Sequence, residues 1–140
     1  MGELAYALGM KGFTENIEKL VLENENFRKV LYTARFSQLV LMSLKPGEEI
    51  GEETHEGDQF FRFEKGQGGV VIDNVNHEVC DGWAVVVLAG ACHNVVNAST
   101  SEELKFYTIY SPPHHQKDVA RATKVEALAR ETEFDGVTSE

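Results

Sequence analysis

The chain is poor in cysteine, poor in basic side chains and without a long apolar run, and each shortage removes a class of function. Two cysteines in 140 residues, Cys80 and Cys92, make no disulfide framework, and a reducing cytoplasm is the expected compartment. Only 13 Lys and Arg stand against 23 Asp and Glu, a net charge of −10. That balance repels nucleic-acid phosphates and anionic bilayers alike, and no basic patch interleaved with aromatics offsets it. No stretch is long and apolar enough to cross a bilayer, and the first residues lack the basic-then-apolar pattern of a secretory leader. What remains is a chain long enough for one domain that buries roughly two thirds of its unfolded surface.

The pattern of that domain is β. Apart from Met1–Gly9, which has little periodicity, and Ile17, Leu20 and Val21 at helical spacing, short strands follow one another with turns between them. Phe27–Thr33 and Gln38–Leu44 come first, the latter ended by Lys45-Pro46-Gly47. Gln59–Glu64 stops at Gly66, and Asp73-Asn74 is a hairpin turn between Val70–Ile72 and His77–Val79. Trp83–Leu88, His93–Asn97 and Leu104–Tyr110 complete the series before Pro112-Pro113. Strands at about ten-residue spacing predict a sandwich or barrel rather than βαβ units. Thr123 with Glu126 fits a capping box, and Val125, Leu128 and Ala129 predict a helix lying on the barrel's outside. The expected organisation is an extension with a short helix over 1–26, the barrel over 27–113 and a helical tail over 114–140.

The spacing of residues inside the β region is the specific signal. Gly47 is followed at x5 by Glu53, then His55, then at x3 by Gln59 and at x6 by Gly66. Gly82 is followed at x5 by Leu88, then Gly90, His93 and Asn97. Together these resemble the two motifs of the cupin superfamily, G-x5-H-x-H-x3-E-x6-G and G-x5-P-x-G-x2-H-x3-N. Glu53 stands at the first histidine, Gln59 at the glutamate and Leu88 at the proline. The resemblance, which spans Lys45 to Pro113, implies a jelly-roll barrel, or double-stranded β-helix, with short flanking helices. It also implies a divalent ion held inside by Glu53, His55, Gln59 and His93. Parity agrees, because residues 53, 55 and 59 fall on one face of an extended chain. One carboxylate, two imidazoles and an amide oxygen suit Zn, Fe, Mn, Ni or Co, and leave positions for water or substrate.

Several residues carry weaker expectations. Glu53 is a candidate base should it not bind metal, and Tyr107, on a strand whose inner face the sequence does not identify, a candidate proton donor with Tyr110 beside it. Phe61, Phe63 and Trp83 read as packing, Cys92 as a small buried hydrophobe, and His114 and His115 as solvated residues past the last strand. The run His55–Arg62 is similar to that of small cupins labelled mannose-6-phosphate-isomerase-like. That likeness implies isomerase-like chemistry on a small oxygenated substrate such as a sugar or sugar phosphate. An Fe(II) dioxygenase and a non-catalytic binding or sensor module are the alternatives. Arg62, the one arginine inside the motifs, lies on the face opposite Gln59, so no phosphate clamp is visible. Unpaired sheet edges predict a homodimer, and a strand's length between Cys80 and Cys92 keeps the two thiols apart.

Overall fold

A computed structural model describes residues 9–140; the aperiodic stretch at the start of the chain lies, except for Gly9, outside them. Helix α1 (Ile17–Glu23) is followed by strands β1 (Arg28–Thr33), β2 (Gln38–Leu44), β3 (Asp58–Lys65), β4 (Gln67–Ile72), β5 (Val75–Cys80), β6 (Ala84–Val87), β7 (His93–Asn97), β8 (Leu104–Ser111) and β9 (Ala120–Arg121), and by helix α2 (Lys124–Ala129). A six-stranded sheet in the order β6-β3-β8-β2-β1-β9 faces a three-stranded sheet in the order β5-β4-β7. Every pairing is antiparallel. Asp73 and Asn74 both take positive φ, 45° and 70°, the mirror-image turn that matches the twist of a two-residue hairpin.

Register stacks the inward residues of β2, β3 and β8 in layers. Phe63 lies opposite Phe106, which lies opposite Met42; Phe61 opposite Thr108, opposite Val40; Gln59 opposite Tyr110, opposite Gln38. The lower layers are apolar and fully buried, closed from the smaller sheet by Val70 and Val95. The uppermost layer, Gln59, Tyr110 and Gln38, is polar and also buried. A period of two on three neighbouring strands therefore builds an apolar floor beneath a polar mouth.

The barrel's outer face and ends depart from expectation in three places. Trp83, expected to pack, is 55 % exposed, because it stands in the turn before the edge strand β6. In α2, Val125 and Leu128 are exposed and Ala127 alone is buried. Six residues make too short a helix to hold an apolar stripe, and Thr123 caps it by accepting from Glu126 N at 3.2 Å. The tail is held instead by backbone: β9 pairs with β1, Phe134 N donates to His114 O at 2.9 Å, and Ser139 N donates to Thr33 O at 2.8 Å. A two-residue strand carries no periodicity from which it could be read. Cys80 and Cys92 are both free thiols, set at opposite ends of β4 by its pairing with β5 and β7.

On the outside of the six-stranded sheet, α1 is anchored by a buried cation. Lys105 is 2 % exposed; its Nζ donates to the carbonyl of Asn24, at the C-terminal end of α1, and to Glu25 Oε1 at 3.1 Å. A positive charge at a helix C-terminus satisfies a carbonyl that lacks an intrahelical partner. Lys105→Met keeps the stem and removes the charge, and is expected to cost about 1–3 kcal/mol in urea unfolding, the worth of a buried carbonyl's charged partner. An unchanged unfolding midpoint would show that α1 docks by Val21 alone.

Candidate metal centre at the barrel mouth

The centre is assembled by backbone pairing outside the named strands. Glu53 N donates to His93 O at 2.8 Å and His93 N to Glu53 O at 2.9 Å, an isolated antiparallel bridge. Residues so paired project side chains to the same face, so Glu53 joins His93 over the barrel interior. His55 is held by its own carbonyl, which accepts from Gly90 N at 2.9 Å. Gly57 permits the chain to pass against β8: a Cβ there would lie 2.6 Å from Pro112 Cδ. Asp58 faces the loop and accepts from Ala89 N at 2.9 Å.

Two donor groups meet at His55. On the open side, one ligand atom each from Glu53, His55 and His114 lies within 4.8 Å of the others. Glu53 Oε2 is 3.4 Å from His55 Nε2, and the His55 and His114 rings stand 4.4 Å apart. Deeper in, Gln59 Oε1 lies 3.0 Å from His93 Nε2, while Gln59 Nε2 donates to Thr108 Oγ1 at 2.9 Å. The His55 and His93 rings are 5.4 Å apart, and Phe61 forms the floor, edge-on to His93 at 6.0 Å.

His114 and His115 are thus not solvated tail residues. Gln38 draws them in: its Oε1 accepts from His114 N at 3.1 Å and from His115 N at 2.9 Å, and its Nε2 donates to His115 O at 2.7 Å. No local pattern around either histidine signals this, because the partner is a strand residue far earlier in the chain. Tyr107 is corrected in the other direction. It faces out of β8, 6.1 Å from the ring of Phe60, whereas Tyr110 points inward, 5.6 Å from His55. Residues 107 and 110 differ in parity, and the inner face of β8 is the one carrying Phe106, Thr108 and Tyr110.

Burial alone would raise the Glu53 carboxyl, but its close contact with and attraction to His55, with Arg28 behind, hold it below the usual range. Burial lifts the Tyr110 phenol far above its ordinary value, and the Glu53 charge adds to this, so its O–H is retained. Burial lowers His114, as does the nearby His55. It drives His115 from 6.5 down to about 2, helped by Arg28.

The donor set suits a divalent metal. His55 Nε2 is buried, and among the described residues its polar neighbour is the Glu53 carboxylate at 3.4 Å, outside good hydrogen-bond geometry. His93 Nδ1 lies 3.1 Å from Ala91 O; a carbonyl only accepts, so Nδ1 carries the proton. In the neutral ring, the Nε2 lone pair then faces Gln59 Oε1, which is also an acceptor. A metal ion between the two acceptors satisfies both, as does a turned Gln59 amide that donates to His93 and accepts from the Thr108 hydroxyl. Metal-binding histidines commonly anchor their other ring nitrogen on a backbone carbonyl, as His93 does. The 3.0 Å separation also matches two adjacent donors at right angles on an ion with bonds of about 2.1 Å.

Residues 40–110 match the family described as Cupin domain. This chain belongs to the cupin family. It is 42 % identical over 130 residues to the uncharacterized protein YrkC of Bacillus subtilis (strain 168), covering 88 % of this chain and 69 % of that one. It is 39 % identical over 107 residues to an uncharacterized protein of Acanthamoeba polyphaga mimivirus, covering 74 % and 67 %. The crystal structure of BH2720 from Bacillus halodurans superposes with a TM-score of 0.83 at 40 % identity, over 87 % of this cupin and 97 % of that chain. KdgF from Halomonas sp., at 20 % identity, TM-score 0.56 and coverage of 61 % and 76 %, shares the fold. No helix among the described residues is long and apolar enough to cross a membrane.

The depressed histidines give this cupin a defined acid response. A group whose folded pKa lies below its unfolded value stabilises above the unfolded value, and the benefit fades as pH falls towards the folded one. For His115 the loss begins near 6.5 and continues downward; Glu53 adds to it only in the carboxylate range. Unfolding free energy of metal-free protein, followed by urea titration, should be flat above pH 7 and about 2 kcal/mol lower at pH 5 from His115 alone. His115→Gln should flatten the profile between these two pH values. A profile as steep in the variant as in the wild type would assign the acid response elsewhere.

Proposed function

We propose that this cupin is a divalent-metal enzyme with isomerase-like action on a small oxygenated substrate, its ion held by Glu53, His55, Gln59 and His93. The observation that carries the metal assignment is the convergence of donor atoms at the barrel mouth: His55 Nε2 3.4 Å from Glu53 Oε2, and His93 Nε2 3.0 Å from the Gln59 amide. The bound ion would supply Lewis acidity, polarising a carbonyl oxygen of the substrate. The chain's own groups supply the rest. A cavity of about 450 Å³ opens beside the centre at His55, with Glu56, Asp58, Tyr110, His114 and Glu133 among its lining, roomy enough for a small polyol. His114, kept neutral by burial, is free to accept a proton from a carbon next to the carbonyl and return it to the neighbouring one. Tyr110 keeps its O–H and can donate a hydrogen bond to an oxygen that gains charge. Tyr107, on the outer face, takes no part.

One observation favours a second reading. Glu53, His55 and His114 form a compact set of one carboxylate and two imidazoles, the donor composition of non-haem Fe(II) oxygenases. In that reading His114 binds metal and His93 does not, and an Fe(II) dioxygenase replaces the isomerase. Elemental analysis of metal-saturated variants separates the two. His55→Ala should lose most of its metal in either case. His93→Ala should also lose it, and His114→Ala should keep it, if the deeper set holds the ion. Metal retained in His93→Ala and lost in His114→Ala transfers the site to the outer set. Zinc, manganese, nickel or cobalt in freshly purified protein, with no substrate-dependent oxygen uptake, supports the isomerase reading, whereas iron with oxygen uptake moves it to the dioxygenase.

We also propose a homodimer paired through the β6 edge. Val86 and Leu88 are 69 % and 74 % exposed beside Trp83, an apolar group on an edge of the larger sheet that is unpaired among the described residues. Light scattering at micromolar concentration should return twice the chain mass of 15.6 kDa, and Val86→Lys should return the single-chain mass. A single-chain mass for the unaltered protein would overturn the pairing.

A further inference from the structure

A second cavity, of about 390 Å³, adjoins the metal centre on the side of the tail, and Glu53 and His114 line it as well. Its far wall is Arg28, Arg121 and Thr132. Arg28 and Arg121 are directly opposite one another in the pairing of β1 with β9, so their side chains leave the sheet on the same face. Like charges in that relation repel. Among the described residues no carboxylate forms an ion pair with either guanidinium. Arg121 spends its two terminal nitrogens on the carbonyls of Ala120, at 3.1 Å, and Arg130, at 3.0 Å. Glu131 and Glu133 on the rim are exposed.

Unmet hydrogen-bonding capacity converges on the same space. Six buried side-chain atoms lack a hydrogen-bond partner among the described residues, and four of them, Arg28 Nε, Arg121 Nε, Thr132 Oγ1 and His115 Nε2, belong to residues lining this cavity. Buried polar atoms without partners are rare in folded proteins. Two of these four are cationic N–H donors and one is a hydroxyl, a set to which an oxyanion bonds more strongly than a neutral acceptor does.

We propose that Arg28 and Arg121 seat the anionic group, carboxylate or phosphate, of the small molecule whose oxygens face Glu53 and His114. The substrate class is therefore a small acid or phosphate ester carrying hydroxyl or carbonyl oxygens. This rests on the metal-enzyme reading only for the identity of the ligand as substrate; the anion seat itself needs no metal. Arg28, Arg121 and Arg130 line one cavity with Glu53, Glu131 and Glu133. Because no carboxylate among the described residues forms an ion pair with Arg28 or Arg121, the two keep a local attraction for anions that the net charge of −10 opposes.

The test uses the full chain, stripped of metal, with inorganic phosphate and succinate as separate probes in isothermal titration at constant ionic strength. One of the two should bind the wild type, and which one does distinguishes phosphate ester from carboxylic acid. His55→Ala, which removes a metal ligand, should bind the anion as the wild type does, so failure of the metal reading leaves this result standing. Arg28→Gln and Arg121→Gln should each weaken binding by about tenfold or more. Thermal unfolding guards against a merely structural effect. Without added anion Arg28→Gln should unfold close to the wild-type temperature, because a repulsion from Arg121 and an attraction to Glu53 are lost together, while the anion-dependent rise in Tm disappears. Equal affinity in the wild type and both variants, absence of binding of either anion up to tens of millimolar, or loss of stability in Arg28→Gln without anion would overturn the proposal.

Discussion

The backbone bridge between Glu53 and His93 is the constraint on which the site depends. It closes the long connection between β2 and β3 against β7, and together with a second isolated bridge, Glu49 to Val96, pins an acidic loop along the edge of the smaller sheet. Without it, Glu53 would be one more surface carboxylate among Glu48, Glu49, Glu52 and Glu56. With it, a carboxylate from one motif stands over a histidine from the other, and His55 follows at the same parity. The same connection is tied at its base by Asn97, whose Nδ2 donates to Leu44 O and Lys45 O at 3.1 and 3.0 Å. Two motifs far apart in the chain are thereby held in one register by main-chain hydrogen bonds, which are insensitive to the side chains they present.

Below this rim, the layered interior sets the electrostatic character of the site. Phe61, Phe63 and Phe106 fill the barrel to the level of His93, so water reaches the donors only from the mouth. Low polarity strengthens interactions between charged and dipolar groups. It also keeps His114 and Tyr110 uncharged while Glu53 stays ionised. One carboxylate, one retained phenol and one neutral imidazole gathered at the mouth are groups that a proton transfer can use. Gln38 belongs to this arrangement although it touches no donor atom. It spans Thr33, His114 and His115, and its position in the top layer is what brings the tail across the mouth.

The tail gives this barrel a second wall. β9 adds only two residues to the sheet, yet it sets Arg121 opposite Arg28 and closes a cavity that the motifs do not foreshadow. Positive charge and candidate donors are thus kept on separate elements: the motifs supply the donors, and the edge of the larger sheet supplies Arg28 and Arg121.

The sequence alone determined the barrel and the inward facing of its motif residues. Strand periodicity, glycine turns and two motif spacings are local quantities, set by a side-chain period of two and by turn conformations within a few residues. That is why β2 and β7 begin and end where the pattern places them, and why Gln59, Phe61 and Phe63 face inward together. Contacts between segments remote in the chain were decided by tertiary structure only. The inner face of β8, and hence Tyr110 over Tyr107, follows from its register with β2 and β3. The recruitment of His114 follows from the Gln38 amide, and the Arg28–Arg121 pair from a strand too short to carry a pattern. Periodicity reports which residues share a face of one element; which element lies opposite is settled by packing, and for this cupin the chemistry beyond the two motifs lies in those oppositions.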